Sequence, residues 1–454
     1  MDEGNGRGFF GQPMSRRTAL KGLGASALAL GAASSAAELV SERAVAAATG
    51  TGPIKIGYVS PKTGAFADFS ISDPYVLSKV RASAAYAKGI KVGGKHYPIE
   101  ITVVDTQSDP NRAAQVAQQL ILQDKVDLIL TTSTPETTNP VAGACQQLKT
   151  PCLATVVPWE AWYGGLGGNP GNPTTNFTYN AMFFFGLKEF AGTFLPMWKR
   201  IQEKTGAAKI FAGMFPNDAD GNAFRMGFPP YAEAAGYKYI DGGAYTDGTT
   251  DYSAMIESFK SGGAEFFVNC PIPPDFNTFW KQAEQAAWKP ALATVAKVML
   301  FPSDAQALGS LSNNIATDAW WTPYGPYKSS LTGETAKQFA SDFEHQTGNE
   351  WVDSLGSSYS LFEVAIEALS ASDDPHDKAQ VASNLQNVNY NGMSGPINFG
   401  AGPAPGVGIV RPVGVQWKPG KKLFGKKYPW QEFVVDNSLN KDIPINGDLV
   451  ATNG

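Results

Sequence analysis

Strand-like and helix-like patterns of apolar residues follow one another along this chain from residue 54 onward. Alternation in Ile54–Ser60 predicts a strand, and Asp73 followed by Pro74 predicts the N-terminus of a helix. The strands predicted in the first half are 54–60, 99–104, 126–130 and 152–157. The helices predicted between them are 73–88, 110–123 and one that begins at Pro140.

The same order of strand and helix restarts after Asn176. The elements predicted there are strands at 209–214, 237–244 and 265–269 and helices at 223–235 and 252–261. Regular alternation of this kind implies parallel strands with crossover helices. The sequence therefore predicts an α/β fold with two doubly wound, Rossmann-like lobes. The segment 392–422 is rich in Gly and Pro, which predicts irregular connections that return between the lobes.

Residues 1–48 are predicted to be a twin-arginine export signal. A pair of arginines stands in the run Ser15–Lys21, and a mild apolar stretch covers 22–37. Small residues then predict cleavage near Ala46 or Ala48. The apolar stretch is too short to hold the chain in a bilayer about 30 Å thick, so we expect a soluble mature protein in the periplasm or another extracytoplasmic compartment. No cysteine lies near the cleavage region, so we expect any membrane tether to be non-covalent.

Composition removes several classes of function. The chain of 454 residues is long enough for two domains, and a net charge of −5 leaves no basic excess of the kind that nucleic acid demands. The three histidines lack metal-ligand spacing, and neither a nucleophile elbow nor a phosphate-binding loop is present. We therefore expect no cofactor, no metal and no catalytic residue. An exported hydrolase is the remaining enzyme alternative.

The three cysteines suggest one disulfide if the chain is exported to an oxidising compartment. Cys145 lies near the end of a predicted helix, and Cys152 lies at the start of the next strand, where the chain reverses. We expect a bridge between them, which would stabilise the fold by about 2–3 kcal/mol in the chain-entropy model. Cys270 is expected to be a buried free thiol.

Five segments resemble the leucine/isoleucine/valine-binding type of solute-binding protein, which serves ABC importers. They are 54–64 (IKIGYVSPKTG), 104–110 (VDTQSDP), 124–127 (DKVD), 217–221 (NDADG) and 247–253 (DGTTDYS). The resemblance covers nearly all of the mature chain in consistent order. It implies the type I periplasmic-binding-protein fold, in which two lobes joined by a three-crossover hinge close over a ligand. Loops at the carboxyl ends of the strands should line the cleft.

By the same resemblance, lobe 1 comprises 53–177 and 319–396, and lobe 2 comprises 178–318 and 397–440. A C-terminal tail covers 441–454. The three crossovers are expected near 176–179, 316–322 and 396–408.

The resemblance also implies which residues contact the ligand. In the amino-acid-binding members, two hydroxyl residues hold the ligand carboxylate. Thr134, with Ser133 beside it, matches the first position, whereas Trp159 stands at the second and could stack on a flat ligand. The other residues of that loop expected at the ligand are Val157, Pro158 and Trp162.

A third family position holds a glutamate that pairs with the ligand ammonium, and Lys297 falls there instead. Lys297 would favour a negative or neutral ligand group. The remaining expected contacts are Asp220 and Asp275 on second-lobe loops, Phe69 in an aromatic wall of the first lobe, and Trp321 and Tyr324 at the second crossover. Trp320 and Tyr327 at the same crossover could also close that side of the cleft.

Several of these residues have a structural alternative. Thr134 could be a helix cap, Trp159 and Trp162 could be core residues, and Lys297 could be a solvated surface lysine. The two aspartates could be turn or cap residues.

The clustered aromatic residues and the missing glutamate predict an aromatic or flat carboxylate as ligand, or else an amino-acid-like compound. We expect a monomer that delivers this ligand to a membrane-embedded ABC permease and its ATPases. The alternative is a ligand-sensing module that uses the same closure to address a membrane receptor. Neighbouring permease and ATPase genes would favour the transporter.

Overall fold

The computed structural model describes residues 52–453. Its strands are β1 Ile54–Ser60, β2 Ile90–Val92, β3 Lys95–Tyr97, β4 Ile99–Asp105, β5 Leu128–Thr132, β6 Cys152–Thr155, β7 Asn180–Phe184, β8 Ile210–Pro216, β9 Lys238–Tyr245, β10 Phe266–Asn269, β11 Leu292–Val295, β12 Ala316–Ala319, β13 Asn389–Gly392, β14 Gly395–Asn398, β15 Val407–Ile409, β16 Val413–Pro419, β17 Lys422–Leu423, β18 Lys426–Lys427 and β19 Trp430–Asp436. Its helices are α1 Asp73–Ala82, α2 Ala84–Ala87, α3 Pro110–Leu122, α4 Pro135–Gln147, α5 Trp159–Gly165, α6 Leu187–Thr205, α7 Ala219–Gly227, α8 Pro229–Ala234, α9 Ser253–Ser261, α10 Pro273–Gln285, α11 Pro302–Leu308, α12 Ala336–Thr347, α13 Ser354–Ser370 and α14 Lys378–Leu385. The predicted export signal at 1–48 lies outside the described residues.

Six parallel strands form the first sheet, in the order β15-β7-β6-β5-β1-β4. Every residue of β5 is buried, because helices cover both faces of a parallel sheet. Leu128 and Leu130 pack in the cluster that includes α13, whereas Ile129, on the opposite face, packs with α3 and α4. This two-sided burial explains why the strand reads as a continuous apolar run.

Seven strands form the second sheet, in the order β19-β16-β12-β11-β10-β8-β9. The strands from β9 to β12 run parallel, and β16 and β19 add an antiparallel edge. Helix α6 packs on this sheet through Trp198, whose ring lies against Phe211 and Phe266. The indole Nε1 of Trp198 donates to Oγ1 of Thr294 at 3.1 Å. The two sheets confirm the predicted α/β fold class.

Two predicted lobe boundaries are wrong. The boundary at residue 177 assigns β7 to the second lobe, but β7 pairs with β6 in the first sheet, with Asn180 opposite Cys152. Strand β15 pairs in turn with β7 and also belongs to the first sheet. The chain therefore passes between the sheets at 185–186, after Ala319 and at 410–412. The irregular segment that precedes β7 obscures this buried strand in the sequence pattern.

Two helix limits also differ from prediction. Helix α4 begins at Pro135, where the missing N–H of proline costs nothing, and Pro140 lies inside the helix. The predicted helix over 73–88 is interrupted at Ser83, which has an extended conformation.

The predicted disulfide between Cys145 and Cys152 is wrong, because both are free and buried thiols. Burial raises the pKa of Cys145 well above its ordinary value, and a hydrogen bond with Cys152 raises it further. Oxidation requires a thiolate that an oxidant can reach, and the apolar cluster around α3 and α4 provides neither condition. Cys270 is also a buried free thiol, as expected.

The predicted C-terminal tail packs along the second sheet over its described part. The amide of Gln416 bonds both backbone groups of Val450, at 2.7 and 3.0 Å. The N–H of Thr452 donates to the carbonyl of Ala291 at 2.8 Å, and Ile443 is buried. These residues therefore belong to the second lobe. Between residues 52 and 453, no helix has the length and apolar character that a membrane crossing needs.

Helix α13 meets the second crossover at a glycine. Trp321 follows β12, is fully buried, and donates from Nε1 to the carbonyl of Met393 at 3.1 Å. A Cβ on Gly356 would lie 2.1 Å from Cδ1 of Trp321. The close approach of helix and indole therefore requires glycine at this position.

We expect Gly356→Ala to lower the free energy of unfolding by about 1–3 kcal/mol, because Trp321 or α13 must move to admit the methyl group. Gly143→Ala in α4 is the matched control, since its Cβ meets no atom within 4 Å. That change should be neutral or stabilising by up to about 1 kcal/mol. Urea unfolding followed by tryptophan fluorescence compares the variants, and equal stabilities would contradict the packing described.

Candidate functional site

A cavity of about 30 Å³ lies where the carboxyl ends of strands from both sheets meet. Ligands bind at this edge in open α/β sheets generally. Its lining residues are Phe69, Thr134, Val156, Pro158, Phe184, Phe190, Asp220, Phe224, Cys270, Ala296, Lys297, Leu300, Asp318 and Trp320. The volume is enough for one or two water molecules, so the cleft is nearly closed.

A larger open groove of about 900 Å³ lies on the first lobe, beside α1 and α12. Three of its charged residues pair with each other, since Lys79 lies 2.8 Å from Glu334 and 3.1 Å from Asp342. It lies apart from the strand ends, and we assign the ligand site to the closed cavity.

The structure brings five of the predicted contacts to this cavity, namely Phe69, Thr134, Pro158, Asp220 and Lys297. Ser133 and Val157 are buried beside lining residues without lining the cavity. Contact of these residues with a ligand stays a prediction.

Two predicted tryptophans serve the packing of the first lobe instead. The ring of Trp159 covers Gly186 at the first crossover, where an added Cβ would lie 2.3 Å from the indole. Trp162 is fully buried and packs edge-on against Phe177, with the ring centroids 6.3 Å apart. Trp159 and Trp162 are therefore core residues in this closed form, as the structural alternative for them states.

Three further predicted contacts also lie away from the cavity. Trp321 packs on Gly356, and Tyr324 packs edge-on against Trp351 at 6.4 Å. The carboxylate of Asp275 accepts a hydrogen bond from the N–H of Gly248 at 3.1 Å. Asp275 therefore holds a loop in place, as its turn or cap alternative anticipates.

The sequence pattern missed most of the aromatic wall. Phe184 and Trp320 meet edge to face at 5.3 Å, and Phe190 and Phe224 meet in the same way at 4.7 Å. Phe184 was missed because β7 was not recognised. Trp320 was among the aromatic residues expected at the second crossover. Neighbouring side chains of an extended segment point to opposite sides, so only one of Trp320 and Trp321 can face the cleft, and Trp320 is the one that lines the cavity.

Buried hydroxyl groups surround the N-terminus of α4. The oxygens of five side chains there make no hydrogen bond within the described structure: Thr132, Ser133, Thr134, Thr137 and Thr138. Thr134 directly precedes the helix, yet its hydroxyl makes no capping bond. Hydroxyls and free backbone N–H groups at a helix N-terminus suit a carboxylate or another hydrogen-bond acceptor.

Lys297 forms a buried ion cluster that joins the two lobes. Its ammonium lies 2.9 Å from Asp218, 3.1 Å from Asp220 and 3.5 Å from Glu136, and its side chain is only 6 % exposed. Asp218 and Asp220 begin α7 in the second lobe, whereas Glu136 begins α4 in the first lobe. The surface-lysine alternative is therefore wrong, and Lys297 already has three anionic partners.

The carboxylates outnumber the ammonium in this cluster. Burial would lower the pKa of Lys297, but Glu136, Asp220 and Asp218 outweigh it and hold that pKa well above its ordinary value. Burial raises the pKa of Asp220 to about 7 despite the attraction of Lys297, and burial likewise raises that of nearby Asp247 to about 6. The cluster therefore has little capacity left to neutralise an anionic ligand.

Strained backbone marks the loops around the cavity. Ser133 after β5, Val156 after β6 and Lys297 after β11 have φ angles of 146°, 63° and 68°. Such conformations are costly for residues with a side chain, and they concentrate at functional sites.

Asp318 forms part of the cavity wall on the second-lobe side. It lies on β12, is 1 % exposed, and its Oδ1 has no hydrogen-bond partner. Burial raises its pKa to about 7. Asp353 and Glu432 lie close enough to interact electrostatically with it, and neither supplies a positive charge. Within the described residues, no group of His, Cys, Asp or Glu side chains has an arrangement that could hold a metal ion.

Comparison with known proteins agrees with this geometry. A family model described as periplasmic binding protein matches residues 53–411. The chain belongs to the periplasmic binding protein family. Members of this family capture solutes outside the cytoplasm, and the similar structures include substrate-binding proteins of ABC transporters.

Solved structures share the fold of this periplasmic binding protein at low sequence identity. A leucine-binding protein from Thermotoga maritima is 17 % identical, with a TM-score of 0.65 over 83 % of this chain and 97 % of its own. An ABC-transporter solute-binding protein from Rhodopseudomonas palustris, solved with 3,4-dihydroxybenzoic acid, is 17 % identical, with a TM-score of 0.63 over 85 % and 98 %. A branched-chain amino acid binding protein from Streptococcus pneumoniae, solved with isoleucine, is 15 % identical, with a TM-score of 0.61 over 84 % and 99 %.

We expect Lys297→Met to destabilise this periplasmic binding protein by about 3–5 kcal/mol at pH 8, because three carboxylates lose their buried counter-charge. The loss should be smaller at pH 5, because Asp220, whose pKa burial raises to about 7, is then protonated and no longer needs the counter-charge. Lys289→Met is the control, since Lys289 and Glu284 form an exposed pair and its loss should change stability by less than about 1 kcal/mol. Urea unfolding at both pH values gives the result, and equal effects of the two variants would contradict a buried network.

Proposed function

We propose that this protein captures a small ring-bearing carboxylate, or an amino-acid-like compound, by hinge closure and delivers it to an ABC permease. The observation that carries the proposal is the cavity at the strand ends of both sheets, where aromatic rings face unpartnered hydroxyls. Two similar proteins from Rhodopseudomonas palustris were solved with 3,4-dihydroxybenzoic acid and 4-hydroxybenzoate, which supports the aromatic class. The isoleucine complex of the Streptococcus protein supports the amino-acid alternative.

The two halves of the cavity suit such a ligand in different ways. Ser133, Thr134 and the N-terminus of α4 offer donors to a carboxylate on the first-lobe side. The aromatic wall would bury about 150 Å² of a ring, worth about 4 kcal/mol at 25 cal/mol per Å². Micromolar affinity needs about 8 kcal/mol, so hydrogen bonds must supply the rest.

Ligand entry requires the lobes to separate. An apolar cavity of about 150 Å³ binds benzene, whereas the space here is about 30 Å³. Two of the three crossovers, at 185–186 and 410–412, are short connections that could absorb the change in backbone angles. We propose that the lobes open, admit the ligand and close over it, with no covalent chemistry.

The location and partners follow from the same proposal. We propose export by the twin-arginine route through the signal at 1–48, action as a monomer without a cofactor, and partnership with a membrane-embedded permease and its ATPases. The sensory alternative would use the same ligand and the same closure with a different membrane partner.

A thermal-shift screen tests the ligand class. 4-Hydroxybenzoate or a related ring carboxylate at a hundredfold excess over its Kd should stabilise the protein by about 2.7 kcal/mol. Thr134→Val should weaken binding about tenfold, because one hydrogen bond to the carboxylate is lost. Thr278→Val on α10 is the control with unchanged binding, since Thr278 does not line the cavity. Tight leucine binding without any response to ring carboxylates would contradict the proposed class.

Replacing Arg16 and Arg17 by lysine tests the export route. We expect the precursor to remain in the cytoplasm, because the twin-arginine pathway reads the arginine pair. Arg43→Lys lies beyond that motif and should leave export unchanged. Cell fractionation with immunoblotting gives the result, and normal export of the double variant would rule out this route.

A further inference from the structure

Asp318 lies on the wall of the cavity, and its buried carboxylate has an oxygen, Oδ1, that no hydrogen-bond donor contacts. It stands near the end of β12, just before the crossover that carries Trp320. Its side chain is almost fully buried, and Oδ1 makes no hydrogen bond. Leaving a charged acceptor unsatisfied costs more than leaving a neutral one, so this arrangement calls for a physical reason.

The charged groups around Asp318 do not supply that reason. Asp353, which precedes α13, and Glu432 on β19 are both buried acids, and the same cluster extends to Glu350. Oδ2 of Asp353 accepts the N–H of Trp320 at 3.2 Å, so that contact holds the crossover and leaves Oδ1 of Asp318 without a partner. The lysine on the cavity wall, Lys297, already lies against three other carboxylates.

We propose that Asp318 accepts a hydrogen bond from a hydroxyl or a protonated amine of the ligand. This inference rests on the proposed function and makes the ligand class narrower. Thr134 and its neighbours face the ligand from the first lobe as donors, whereas Asp318 faces it from the second lobe as an acceptor. The ligand therefore carries an acidic group and a hydrogen-bond donor, separated by an apolar body that the phenylalanines cover.

Closure of the lobes would then be favoured only by ligands that carry a hydrogen-bond donor for Asp318. A carboxylate bound only at α4 contacts one lobe, but a ligand that also donates to Asp318 links β5 of the first sheet with β12 of the second. A compound of the same shape without the donor would leave Asp318 buried and unpaired in the closed form. Sites that bury such a group reject analogues that lack the partner, which is the usual source of strong selectivity.

Three ring carboxylates of similar size test this inference: 4-hydroxybenzoate, 4-(aminomethyl)benzoate and 4-methylbenzoate. Isothermal titration should show that the hydroxyl or the amine compound binds about tenfold to a hundredfold more tightly than the methyl compound. A preference for the amine identifies a cationic group as the natural donor, and a preference for the hydroxyl identifies a neutral one. Asp318→Asn should reduce that preference to less than about threefold.

A matched variant separates this role from general effects of removing a buried acid. Asp304→Asn also replaces a buried aspartate that has an unpartnered oxygen, but Asp304 does not line the cavity. It should leave the preference among the three compounds unchanged. The melting temperature of ligand-free Asp318→Asn at pH 8 should equal or exceed that of the wild type, because the change removes an uncompensated buried charge.

Two outcomes would overturn the assignment of Asp318 while the proposed function stands. The first is equal affinity for the methyl and hydroxyl compounds, and the second is an unchanged preference in Asp318→Asn. A lower melting temperature of ligand-free Asp318→Asn would also overturn it, since Asp318 would then be a structural residue. Binding of none of the ring carboxylates would overturn both the proposed ligand class and this inference.

Discussion

The ammonium of Lys297 is the charge around which the closed cleft is arranged. A lysine with 6 % exposure needs counter-charges, and they come from both lobes: Asp218 and Asp220 from one, and Glu136 from the other. Glu136 belongs to α4, the helix whose N-terminus also presents the unpartnered hydroxyls. The ion cluster therefore holds together the two walls that line the cavity. Opening would expose this cluster to water. The free energy that its ion pairs contribute to the closed form therefore depends on how completely water is excluded from the cleft.

The cavity is divided between packing and recognition. Its aromatic residues provide apolar surface against which a ligand can be buried. Its few polar groups fix the orientation of the ligand, as in most small-molecule sites. Trp159 and Trp321 have a different task, because each packs on a glycine at or beside a crossover, Gly186 and Gly356 respectively. Each contact places a large ring on a small residue close to a point where the chain passes between the sheets. Pro158 and Trp320, which line the cavity, directly precede Trp159 and Trp321 in the sequence. The same two segments therefore form part of the cavity wall and pack at the crossovers.

The sequence predicted the positions of strands better than it predicted which side chains contact each other at the cleft. Each of the seven predicted strands has limits within two residues of a strand in the structure, because alternation and burial act locally. Strand β7 was missed because an irregular segment precedes it and the strand contains only four apolar residues. Resemblance placed Thr134, Asp220 and Lys297 at the cleft, but it could not show that Lys297 has partners in both lobes. Those contacts depend on packing between residues about 80 to 160 positions apart, which no local pattern encodes.

The most direct test of this account is the distance between the lobes in solution. Spin labels at Gln119→Cys on α3 and Glu257→Cys on α9 would report it, because both positions are exposed and the three native cysteines are buried. The account predicts a longer and broader distance distribution without ligand, which becomes shorter and narrower when a ring carboxylate binds. The same narrow distribution with and without bound ligand would contradict a cleft that opens to admit its ligand.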